Sequence, residues 1–181
     1  MIQKVTLATM CALTLGIAAV GFAVASAPGP DYLDVASWKA DAKNKSTASL
    51  SATTKASIPR RPDVFIRSNP VVGIAWLDVQ TSQVFVATIH PVIGRDSRQN
   101  PRAWHAHTAT LTGGATVPND FCLGTIASAP TAGISIHGST MQVNVRRSVL
   151  PVPPAAIDAA TGFTLQADGA CTSGFGVRVS T

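Results

Sequence analysis

Glutamate is missing altogether from the 181 residues, so every acidic side chain is an aspartate. Any acid–base pair would be Asp/Asp or Asp/His. Asp63, Asp78, Asp96, Asp120, Asp158 and Asp168 are scattered, and spacing places no two of them together. Having no glutamate and little leucine also works against helices. No helix-period apolar pattern is long enough for a βαβ unit, which argues against a parallel α/β fold. The chain has no Gly-x-Ser-x-Gly elbow, no phosphate-binding glycine loop and no His-Glu-x-x-His helix. The sequence therefore assigns no catalytic residue. Charge is sparse, and the formal balance is a modest +5. The basic residues are not interleaved with an aromatic stripe, so nucleic acid is not an expected partner. A positive surface instead suits an anionic ligand or a component of the cell envelope.

Cysteine is scarce, with three in the chain. Cys11 falls within an N-terminal segment that reads as a secretory signal over residues 1–25. Lys4 supplies a positive start, Val5 to Val24 is uncharged and built of apolar and small residues, and Ala23-Val24-Ala25 offers a small-x-small cleavage site. Retained, the same run is about long enough for a membrane anchor, which needs ~20 apolar residues. No later segment is apolar enough to span. Cys122 and Cys171 remain as an even pair, and in an oxidising compartment they are expected to form a disulfide. A blue-copper role for either cysteine would want a histidine and a methionine shortly after it. Cys171 is followed by neither, and after Cys122 the nearest, His137 and Met141, are too far along. The expected location is secreted or extracytoplasmic, at the cell surface if the signal stays uncleaved.

Residues 26–59 read as a flexible linker, because Ser, Thr, Ala and Lys dominate and large apolar residues are few. Tyr32, Leu33, Val35 and Trp38 stand out as a docking strip or short helix. Asn44-Lys45-Ser46 is the N-glycosylation sequon, with Asn44 as acceptor.

From residue 60 to 181 the character changes. Val, Ile, Thr and Phe recur in short runs divided by Gly, Pro, Asn and Asp. Strands are expected at Val64–Arg67, Val71–Val79, Gln83–His90, Ala103–Thr112, Phe121–Ser128, Gly133–His137, Met141–Val149, Gly162–Ala167 and Gly174–Val179. Their spacing predicts a single all-β domain, an antiparallel sandwich or partly open barrel of about eight or nine strands. Pro153 to Asp158 suits a helical turn in a connection. Val143, Val145, Ile134, Ile136 and Val177 are the expected core.

The most distinctive pattern is Trp104-His105-Ala106-His107, with His90 one loop upstream. Side chains alternate along a strand, so His105 and His107 share a face. If the two strands pair as a hairpin, His90 at the end of one meets His105 at the start of the next. Three imidazoles converging in this way can hold a transition metal, copper or zinc, and a three-histidine zinc site keeps a fourth position open. The alternation allows all three to share a face but does not set the register. The connection between them carries Arg95, Asp96 and Arg98. Asp96 suits a histidine-orienting acceptor or a fourth ligand, and the arginines suit an anion contact; the favoured expectation is a solvated loop in which Arg95 and Asp96 pair locally. His137, before Gly138 and opposite two isoleucines, is not expected to be a ligand. The reading is an exported all-β domain binding a divalent metal through His90, His105 and His107. The alternative is a metal-free interaction or structural domain at the cell surface.

Overall fold

A computed structural model describes residues 30–60, 71–90, 103–129 and 131–180. The strands among them are β1 (Val35–Ala42), β2 (Thr47–Thr54), β3 (Val71–Asp78), β4 (Gln83–Ile89), β5 (His105–Thr112), β6 (Phe121–Ser128), β7 (Gly133–His137), β8 (Thr140–Arg146), β9 (Ala159–Ala167) and β10 (Phe175–Val179). One turn of 3₁₀ helix at Pro154–Ala156 precedes β9, within the stretch expected to turn. The strands form a closed barrel in the order β10-β6-β5-β4-β3-β9 and a four-stranded sheet in the order β1-β2-β8-β7. Every pairing is antiparallel. The all-β antiparallel architecture follows the sequence expectation, and the barrel is closed rather than partly open. The strand expected at Val64–Arg67 lies outside the described residues.

Strand β3 explains how the two layers fit together. Its run Val-Val-Gly-Ile-Ala-Trp-Leu-Asp is buried along nearly its whole length. Val71, Ala75 and Leu77 line the barrel lumen, while Ile74 and Trp76 belong to the core between barrel and sheet. A strand buried on both faces needs apolar residues at consecutive positions, not alternate ones. Phe85 and Ala87 of β4 extend the outer wall, which packs against Leu50 of β2 and Met141, Val143 and Val145 of β8. The Trp76 indole Nε1 donates to the Ser51 carbonyl at 3.2 Å, pinning the layers together. Of the expected core residues, Val143, Val145, Ile136 and Val177 are buried, and Ile134 packs partly buried against the same cluster. Inside the barrel, Gly73 faces the Phe163 ring. A Cβ at Gly73 would sit 2.6 Å from both the ring and the Ala87 carbonyl oxygen.

The structure corrects the reading of residues 26–59 as a linker. Residues 35–42 and 47–54 form the β1–β2 hairpin, and β2 pairs with β8 from Thr47↔Arg146 to Thr53↔Thr140. Ala48, Leu50 and Ala52 alternate with Ser and Thr and are completely buried. The segment resembles a linker in composition because its core face is made of small residues. A strand needs period-two alternation more than bulk when it packs close to its neighbours. Asn44 lies in the exposed hairpin turn, where its Oδ1 accepts from the backbone N–H of Ser46 at 2.9 Å and of Thr47 at 2.8 Å. Leu33 is also fully buried, against Val72 and Ile89.

Candidate metal centre

Strands β4 and β5 pair from Gln83↔Thr110 to Thr88↔His105, with His107 opposite Val86. Val84, Val86, Thr88 and His90 face the lumen, and so do His107, Ala109 and Leu111. This register settles the question the alternation left open: the three histidines lie on one face, that of the barrel interior. His90 follows the last residue of β4, and His105 begins β5. Residues 91–102 of the connection between them lie outside the described residues, and with them Arg95, Asp96 and Arg98.

The three imidazoles are packed ring to ring. Centroids are 4.6 Å apart for His90–His105, 5.0 Å for His105–His107 and 5.8 Å for His90–His107. All three side chains are buried, with relative exposures of 6%, 9% and 2% for His90, His105 and His107. One ring nitrogen from each lies within 4.8 Å of the others. The closest approach is 2.9 Å between the Nε2 atoms of His90 and His105. Metal–imidazole bonds of about 2.0–2.1 Å in tetrahedral geometry set two donor nitrogens about 3.3–3.4 Å apart. The 2.9 Å His90–His105 separation and the 4.8 Å limit on the other pairs lie on either side of that spacing, so small side-chain rotations would bring the three nitrogens within reach of one ion.

The tautomer of His105 is set by its surroundings. Its Nδ1 lies 2.9 Å from the Ala103 carbonyl oxygen, which can only accept, so Nδ1 carries the proton. In the neutral ring Nε2 then has a lone pair directed at His90. A ring N–H held by a backbone carbonyl is the usual support for a metal-binding histidine, because it fixes ring orientation and raises ligand basicity. Sequence reasoning did not identify the Ala103 carbonyl, and a backbone acceptor has no residue signature by which it could be found.

The remaining sequence candidates serve the fold. Cys122 and Cys171 are joined by a disulfide across 49 positions, linking the start of β6 to the β9–β10 connection. His137 lies exposed at the end of β7 in the four-stranded sheet and is not a member of the cluster. Trp104 donates from Nε1 to the Pro59 carbonyl at 2.9 Å and packs over the core beside the histidines. Asp168 gathers the loop next to the disulfide. Its carboxylate accepts from Asn119 Nδ2 at 2.9 Å, from the Thr116 N–H at 2.7 Å and from the Ala170 N–H at 3.0 Å. These donors, the Asn119 amide foremost, lower its pKa to about 2. No helix among the described residues is long and apolar enough to cross a membrane.

Comparison with protein families, curated proteins and solved structures gives no match to this chain. The functional reading therefore stands on the site itself.

Proposed function

We propose that this protein is an exported β-barrel domain that binds one divalent transition-metal ion, copper or zinc, through His90, His105 and His107. The observation that carries the reading is the convergence of three buried imidazoles on one point of the lumen, with His105 held in its ligating tautomer by the Ala103 carbonyl. Burying three polar rings in an apolar barrel is unfavourable unless their nitrogens are engaged, and a shared metal ion engages one from each. Neutral nitrogen ligands suit both metals, with copper binding more tightly at a generic site. With three protein ligands the ion keeps a position for water or substrate, the arrangement that permits Lewis-acid chemistry. Export is supported by the signal-like residues 1–25 and by the disulfide, which persists in an oxidising compartment.

The test is elemental analysis of the mature chain, purified without an affinity tag from the compartment in which it accumulates. About one equivalent of copper or zinc per chain supports the reading. A metal-free interaction domain is the alternative, favoured by the His90–His105 contact, which at 2.9 Å also serves as an ordinary hydrogen bond between neutral rings. No metal on isolation and no uptake on titration selects that alternative.

A further inference from the structure

We propose that the barrel lumen is the tail pocket of a small anionic amphiphile, a short-chain carboxylate whose head completes the coordination of the metal. The inference rests on the metal reading above and extends it to the class of ligand. The lumen holds a cavity of about 160 Å³, walled by aliphatic and aromatic side chains such as Val71, Ala75, Val86, Phe163 and Leu165, with His90 and His107 in the same wall. A space of about this size takes a benzene-sized guest, which corresponds to a tail of about six carbons. Apart from the two histidines, the polar groups in the wall are the Thr88 and Thr161 hydroxyls, which donate to backbone carbonyls, so the wall away from the cluster suits hydrocarbon.

The head group follows from charge. Three neutral imidazoles around a divalent ion leave two positive charges in a buried site, and the cluster contains no carboxylate among the described residues. An uncompensated charge in an apolar setting is costly, so an anionic donor at the open position is favoured over a neutral one. Hydrocarbon and anion are thus required within one cavity, and a carboxylate with a short alkyl tail meets both demands.

Access follows from the way the barrel closes. Strand β10 meets β6 at Gly176↔Cys122 and Val177↔Phe121, whereas β6 continues to Ser128. Ile126, in this second half of β6, lines the lumen and is nonetheless 55% exposed. His107 pairs with Ser128 on the neighbouring strand, so this stretch of wall runs alongside the cluster. The lumen reaches solvent beside Ile126, close to the histidines.

The experiment uses the mature full-length chain loaded with Co²⁺, a visible-spectrum substitute for zinc, titrated with acetate, butyrate, hexanoate and decanoate. Carboxylate binding at the ion alters the cobalt absorption bands. Affinity should rise about fourfold per added methylene from acetate to hexanoate, then level off as the tail outgrows the lumen. Ala75→Leu, which fills the cavity, should remove that gain while Co²⁺ uptake persists. In the zinc-loaded protein, the hexanoate methyl should show nuclear Overhauser contacts to the Phe163 ring, a readout independent of any variant. Equal affinity for acetate and hexanoate, or absence of those contacts, overturns the proposal and leaves the metal reading standing. Failure to take up Co²⁺ at all overturns both.

Discussion

The Nε2 atoms of His90 and His105 lie 2.9 Å apart although the residues are separated by 15 positions in the chain. The β4–β5 register brings them together by placing His105 opposite Thr88, so that the residue two beyond Thr88 arrives beside its ring. A shift of one residue would turn both β5 histidines out of the lumen, because side chains alternate between faces. The site therefore depends on strand pairing as much as on the identity of its ligands.

Replacing His105 and His107 together by Ala should abolish bound metal while the disulfide-linked barrel still forms. Cavity formation at these buried positions should cost on the order of 1–3 kcal/mol. Metal content by mass spectrometry, read beside far-UV circular dichroism, checks this. Unchanged metal content in a folded double variant rejects the site.

Leu50→Ala should destabilise the domain by about 2–5 kcal/mol, as expected for emptying a fully buried leucine site in a packed core. Urea denaturation monitored by Trp fluorescence measures it. A change within about 0.5 kcal/mol, normal for exposed positions, would show that the β1–β2 hairpin does not belong to the cooperative unit.

The Asp168 carboxyl is held well below the usual aspartate value, from 3.8 down to about 2, by the Asn119 amide and the Thr116 and Ala170 N–H groups. The folded state thus releases this proton more readily than the unfolded chain. The resulting stability is complete above about pH 4 and is lost as pH falls toward 2. Asp168→Ala should be less stable than wild type at neutral pH and should lack this part of the acid limb. Melting temperatures between pH 7 and pH 2 make the comparison, and parallel acid limbs in the two proteins would contradict it.

Reducing the Cys122–Cys171 bond opens a loop spanning 49 positions. Chain entropy then predicts a loss of about 4 kcal/mol. Guanidinium midpoints with and without reductant, or for a Cys122→Ala/Cys171→Ala variant, test this. A mass increase of about two hydrogens on reduction verifies the bond itself.

Much of this fold was legible in the sequence. Val71–Asp78, Gln83–Ile89 and Phe121–Ser128 are apolar or alternating runs bounded by turn residues, and the structure forms strands within a residue or two of the expected limits. The β1–β2 hairpin was not legible, since Ala48 and Ala52 carry so little side chain that their burial leaves no compositional trace. The candidate site was partly legible. The His-x-His spacing places two ligands on one face by strand geometry alone, whereas His90 needed a register and the Ala103 carbonyl needed a backbone path.

By itself the sequence determined the β class, because a chain without glutamate, poor in leucine and punctuated by Gly and Pro favours short strands over helices. It also determined the cysteine pair and the two β5 histidines on a common face. Only the tertiary structure decided that six strands close into a barrel, that the N-terminal hairpin joins β8 in a second layer, and that three imidazoles share one buried corner of the lumen. Those outcomes depend on pairings between residues far apart in the chain. Such pairings are selected by the burial of whole faces, a property of the assembled layers that local spacing does not encode.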